Sequence, residues 1–114
     1  MKNLFITTLI FGVLLFTNSV FAQKDVKKSF NVKSNDNLSL STSMGNIVID
    51  TWNKNEVNII AKNVLESEME LLSMEQSGNK IEVIFEGDDS DDVEFEVIIP
   101  AELNLELATG GGNI

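Results

Sequence analysis

The sequence predicts an all-β protein. Its short strands are expected to build a sandwich, a barrel or a solenoid. Three observations lead there. Apolar residues alternate with polar ones along nearly the whole chain, which is the signature of half-buried strands. Clusters of Asn, Asp, Gly and Ser recur roughly every ten residues, the spacing of short strands joined by turns. One strand-and-corner unit occurs twice.

The strands follow in order. "SFNVK" places Phe30 and Val32 on one face, and "NLSLST" places Leu38 and Leu40 opposite its serines. "GNIVID" sets Ile47 and Ile49 against Val48, and "EVNIIAK" aligns Val57, Ile59 and Ala61. "KIEVIFE" aligns Ile81, Val83 and Phe85, and "VEFEVII" aligns Val93, Phe95, Val97 and Ile99. "ELNLEL" aligns Leu103, Leu105 and Leu107. The turns between them are "SND", "TWNKNE", "QSGNK", "EGDDSDD" and "PAE", the last holding the single proline. "NVLESEMELLSMEQ" suits two states, because Leu65, Met69 and Leu72 also fit a helix face and Glu, Leu and Met favour helix. Strand is the expectation, since "MELLSMEQSGNKIEVIF" reads as two apolar runs around a short glycine turn.

The repeat is "LSLSTSMGNI", Leu38 to Ile47, which aligns without gaps on "LELATGGGNI", Leu105 to Ile114. The shared pattern is L-x-L-x-T-x-x-G-N-I. It describes a strand, a corner and a new strand, and glycine suits a corner that needs positive φ or close backbone approach. Gly45, Asn46 and Ile47 form the first predicted corner, and Gly112, Asn113 and Ile114 the second.

These residues carry a family resemblance. "MGNIVIDTWNKNEVNIIAK" (Met44 to Lys62) and "VEFEVIIPAELNLELATGGGNI" (Val93 to Ile114) resemble the bacterial β-strand-repeat domains known as putative adhesins, a family of unknown function. The resemblance covers about residues 28–114. It implies an exported fold of stacked antiparallel and parallel strands, a β-sandwich that grades into a right-handed, solenoid-like β-helix, and brings no catalytic residues with it. Family members continue into further Gly-Gly-x-Ile repeats, so residues 23–114 are expected to be a single, incomplete β-repeat domain. The stretch from Leu103 to Ile114 should then be a last rung with an unpaired edge and an exposed apolar face, prone to self-association through that edge.

The N-terminal residues read as a secretory signal. Lys2 supplies the positive charge, "LFITTLIFGVLLF" the apolar run, and "TNSVFA" a polar region with Val20 and Ala22 at the −3 and −1 positions. Cleavage is expected after Ala22, and the protein is expected to be exported to the periplasm, cell surface or medium. The apolar run is shorter than the ~20 residues a spanning helix needs. With no cysteine there is neither a disulfide nor a thiol.

The chain has 114 residues, 8 Lys+Arg against 18 Asp+Glu, and a net charge of −10. That balance repels nucleic-acid phosphates and anionic headgroups. The sequence has no His, Cys, Tyr or Arg, which removes Ser-His-Asp and Cys-His catalysis, the usual zinc sites and Arg clamps on phosphate. "SGNK", Ser77 to Lys80, matches S-x-x-K but sits in an expected hairpin turn, without the S-D-N and K-T-G companions. "IDTW" has Trp where an aspartic protease has Gly. "GGGNI" has no Lys and no following helix, so it is not a phosphate loop.

Two ligand candidates remain. "EGDDSDDVE" offers Asp88, Asp89, Asp91 and Asp92 to a hard cation such as Ca²⁺, although the spacing is not that of a D-x-D-x-D-G loop. The simpler reading is a solvated hairpin loop whose charges oppose edge aggregation. Trp52 offers a ring to a sugar, against the simpler reading that it packs over its own turn. The expectation is an exported, non-catalytic protein without cofactors, in a structural or adhesin-like role toward envelope or surface proteins or glycans. A small cation- or glycan-binding module is the alternative.

Overall fold

A computed structural model describes residues 22–114. The expected leader lies outside the described residues except for Ala22. The strands are β1 (Gln23–Asn31), β2 (Asn37–Thr42), β3 (Asn46–Trp52), β4 (Glu56–Leu65), β5 (Leu72–Ser77), β6 (Lys80–Phe85), β7 (Glu94–Pro100) and β8 (Asn104–Thr109). They form two open four-stranded sheets, ordered β1-β4-β7-β3 and β5-β6-β2-β8. The fold is all-β, with antiparallel pairing at one end of the stack and parallel pairing at the other. β1 with β4, β4 with β7 and β5 with β6 run antiparallel. β3 with β7, and β2 with both β6 and β8, run parallel.

Parallel neighbours need a crossover, and here each crossover is a corner into the other sheet. β6 turns through residues 86–93 into β7, and β2 turns through residues 43–45 into β3. The two units stack as rungs, β2–β3 on β6–β7. β8 then lies on β2, one strand beyond the last rung that both sheets complete.

Alternation puts the apolar set between the sheets. Val57, Ile59, Ala61, Ile81, Val83, Phe85, Val93, Phe95, Val97 and Ile99 are all at most 3% exposed. Phe85 and Phe95, one from each sheet, meet with ring centroids 6.3 Å apart and tilted by 58°, a geometry that suits aromatic quadrupoles. Phe30, Val32, Leu38, Leu40, Ile47, Val64, Met74 and Leu103 complete the core.

Two expectations are corrected. The segment expected as continuous strand contains a 3-10 helix, Glu66–Leu71, between β4 and β5. The chain leaves one sheet for the other there, and an extended backbone cannot make that turn. The β5–β6 hairpin that follows is as read, with Ser77 paired to Lys80 around Gly78 and Asn79. The second correction concerns "EGDDSDD". It is not a hairpin loop, because β6 and β7 belong to different sheets.

Candidate functional site

The internal repeat is a register. β2 and β8 pair Leu38 with Leu105, Leu40 with Leu107 and Thr42 with Thr109, the same residues that match in sequence. The corners stack in the same register. Ser43 N donates to the Phe85 carbonyl at 2.9 Å, and Gly110 N, its counterpart, donates to the Thr42 carbonyl at 3.0 Å. Thr109 Oγ1 donates to the Gly45 carbonyl at 2.8 Å. Asn113 N donates to Asn46 Oδ1 at 2.9 Å, and Ile47 N donates to the Asn113 carbonyl, also at 2.9 Å.

The glycines permit this stacking. Gly45 has φ of +96°, and a Cβ there would lie 2.3 Å from Val93 Cγ1 and 2.4 Å from the Val93 carbonyl oxygen. A Cβ on Gly112 would lie 2.0 Å from the Gly45 carbonyl oxygen. Positive φ is needed only at the first corner, whereas close approach is needed at both. Gly45, Asn46, Ile47, Gly112, Asn113 and Ile114 thus come together as two successive layers.

The acidic segment is organised by a residue that the sequence did not single out. Glu68, on the 3-10 helix, is buried. Its Oε2 accepts from Asp88 N at 2.9 Å and Asp89 N at 3.0 Å, and its Oε1 accepts from Ser90 Oγ at 2.5 Å. Ser90 is fully buried and also accepts from Leu65 N at 3.1 Å. Burial pushes the Glu68 carboxyl up, but the donors from Ser90, Asp89 and Asp88 outweigh it, and the net shift is downward from 4.5. Asn63 Nδ2 and Ser43 Oγ fasten the segment further through the carbonyls of Asp92 and Gly87.

Of the four cation candidates, Asp88 and Asp89 come together with Glu68, their carboxylate oxygens within 4.8 Å of one another. Asp91 and Asp92 are not part of that group. Three of the Glu68 lone pairs already accept from N–H and O–H donors, so this carboxylate ties the corner together. A glutamate in "ESEME" carries no sequence signal for such a role, because its partners lie some twenty residues away.

Trp52 closes its own turn. Its Nε1 donates to the Glu56 carbonyl at 2.7 Å, and Lys54 Nζ lies 4.8 Å from the ring centroid. Its hydrogen-bond donor and one ring face are therefore engaged within residues 52–56. The surface depression beside it is lined by Asn53, Lys54, Asn55, Pro100, Ala101 and Glu102.

Among the described residues, exposed apolar side chains gather at the β3/β8 end. β3 and β8 are both sheet edges. Four large apolar side chains among the described residues are exposed, and three lie at this end: Val48, Leu105 and Ile114, the last two 41% and 63% exposed. Leu105 shares its strand face with buried Leu38, yet among the described residues no strand of the opposite sheet lies over it.

No family model matches the chain, and no curated protein does. Solved structures do resemble it. A "putative adhesin" from Bacteroides fragilis has a TM-score of 0.49 at 14% identity, over 81% of this chain and 43% of that one. A "putative adhesin" from Parabacteroides merdae has a TM-score of 0.44 at 7% identity, over 80% and 40%. A "putative lipid binding protein" from Parabacteroides distasonis has a TM-score of 0.47 at 11% identity, over 81% and 40%. The similar structures include bacterial putative adhesins. The chain spans about two fifths of their length.

Proposed function

We propose that the protein is an exported, non-catalytic β-repeat module with an adhesin-like interaction role at the cell envelope or surface. One observation carries this reading. Glu68, Ser90, Thr42, Thr109, Asn46 and Trp52 all bond to the chain's own main chain or to each other. Among the described residues, strand edge and apolar strand face stay available, the means by which β proteins bind other chains. Within the described residues no helix is long and apolar enough to cross a membrane.

The test has two parts. An epitope-tagged chain, expressed in a Gram-negative host, should appear outside the cytoplasm with its leader removed. Beads carrying the purified protein should bind envelope fractions saturably, and fractions stripped of protein, glycan or lipid identify the partner class. Retention of full-length chain in the cytoplasm, or turnover of ester, peptide or glycoside substrates, refutes the reading. Adhesin and lipid-binding protein, the names borne by the similar structures, are among the alternatives that the stripped fractions separate.

A further inference from the structure

The outer face of the β1-β4-β7-β3 sheet carries a depression over its third strand. β7 is the floor, and β4 and β3, paired to it on either side, are the walls. In register, Ile98 lies between Asn58 and Asp50, and Glu96 lies between Ile60 and Val48. These side chains point outward, because Val57, Ile59, Val97 and Ile99, which alternate with them, point into the core. Glu96 forms an ion pair with Lys62 at 2.9 Å. Lys62 stands opposite Glu94, on the far side of Glu96 from Ile98, so the Glu96 carboxylate is drawn along β7 away from Ile98. What stays open is a depression of about 170 Å³, lined by aliphatic Val48, Ile60 and Ile98 and by Asp50, Asn58 and Glu96. Its three strands are paired to one another within the described residues, so its shape needs no further strand.

Two groups that line it lack a partner. Asn58 Oδ1 is buried and accepts no hydrogen bond, which leaves the desolvation of that atom uncompensated. Asp50 has no cation beside it, since the ion pairs among the described residues are Lys24–Glu66 and Lys62–Glu96. With Glu96 balanced by Lys62, the charge left in the depression is that of Asp50. Both unpartnered groups are acceptors. The Asn χ2 torsion is soft, so the Asn58 amide can turn its oxygen toward a donor that enters.

These features select a ligand. Two acceptors call for a group that only donates, and an ammonium has N–H donors and no acceptor. Aliphatic walls call for an alkyl stem behind it, lying on apolar surface while the charged head stays at the polar rim. A hard metal ion takes ~6–8 oxygens and would find one free carboxylate here. The depression is also smaller than the ~300 Å³ at which sites for drug-sized ligands begin.

We propose that this depression binds a primary alkylammonium group. The ammonium is shared by Asp50 and Asn58 Oδ1, and the stem lies on Ile98 between Val48 and Ile60. The group belongs to a free amine or to a lysine side chain of another polypeptide. The inference goes beyond the interaction role proposed above and does not depend on it.

The probe is butylammonium chloride, added to the purified protein and followed by NMR. 1-Butanol carries the same stem without the charge, and ammonium chloride the charge without the stem. Butylammonium should saturably shift the Asn58 side-chain amide and the main-chain amides of Val48, Ile60 and Ile98. It should bind at least about tenfold more tightly than either control. Asn58→Leu keeps the shape of the side chain and removes the orphaned acceptor. Its urea midpoint should hold or rise while butylammonium binding weakens about tenfold, a split that a purely structural role would not produce. Asp50→Asn should weaken binding as much without moving the midpoint, and serves if Asn58→Leu does not fold. Nα-acetyl-lysine methylamide separates the sources. Binding equal to that of butylammonium assigns the site to a lysine side chain, and binding at least about tenfold weaker assigns it to a free amine.

Equal binding of butanol overturns the proposal, because an apolar depression alone would then suffice. Equal shifts at Glu75, Glu82 and Asp91 overturn it too, since the amine would be a general counter-ion. So does butylammonium binding that neither substitution changes. None of these results bears on the bead assay, which tests the interaction role separately.

Discussion

Replacing Glu68 tests the claim that a buried carboxylate holds the acidic corner. Gln has the same shape. Its carbonyl can accept from Asp88 N and Asp89 N, and its amide can donate to Ser90 Oγ, so Glu68→Gln removes charge with little loss of packing. Each of the three hydrogen bonds then loses its ionic assistance, about 1 kcal/mol apiece. Part of that is recovered because no charge is buried. The net cost at pH 7 should be about 1–2 kcal/mol. Glu68→Ala leaves three donors without an acceptor and opens a cavity, for about 3–5 kcal/mol.

Urea unfolding followed by Trp52 fluorescence measures both. The pH dependence is the sharper readout. The Glu68 pKa is lowered on folding from 4.5, so its contribution is fully present above 4.5 and is lost as pH falls through the lower folded value. The stability gap between wild type and Glu68→Gln should therefore be constant near neutrality, shrink below pH 4.5 and close in stronger acid. A gap below about 0.5 kcal/mol at pH 7, the usual size of an unremarkable surface change, refutes the reasoning. A gap that does not shrink in acid refutes it too.

The remaining predictions concern the corners and the surface. Gly45→Ala meets both the positive φ and the Val93 main chain, and should cost about 2–5 kcal/mol in chemical denaturation. Gly112→Ala should leave global stability nearly unchanged but abolish the Asn113–Ile47 bond, seen as faster exchange of the Ile47 amide. Lys62→Met removes the ion pair with Glu96, 2.9 Å long and between half-exposed groups, and should not change the denaturation midpoint measurably. Calcium at millimolar concentration should shift neither the melting temperature nor the Asp88 and Asp89 amide resonances. A clear shift at those two residues would show that the ion displaces the donors from Glu68.

Much of the fold was legible because alternation is local. Val57, Ile59 and Ala61 read as one inward face, and they are fully buried. Leu103, Leu105 and Leu107 read as one face as well, expected to be exposed as a last rung, and Leu105 is exposed while Leu103 is buried in the core. Alternation identifies a face, whereas burial needs a second sheet over that face. The 3-10 helix escaped the strand reading because the crossing from β4 to β5 is set by the distance between the sheets, not by the propensities of Glu and Leu. The acidic cluster was visible, but its organiser was not, since Glu68 lies outside it and acts through backbone N–H groups that every sequence has.

The sequence by itself determined most of the strands, the glycine corners and the equivalence of Leu38–Ile47 with Leu105–Ile114, which the structure turns into the register of β8 on β2. Residues that repeat in sequence occupy equivalent places in successive rungs, so the match is a contact map as well as a likeness. Only the tertiary structure decided that the β2–β3 rung stands between β6–β7 and β8, and that Glu68 closes the corner from the far side. Pairing between distant strands is chosen by which apolar faces can be covered together, and that choice belongs to the whole chain.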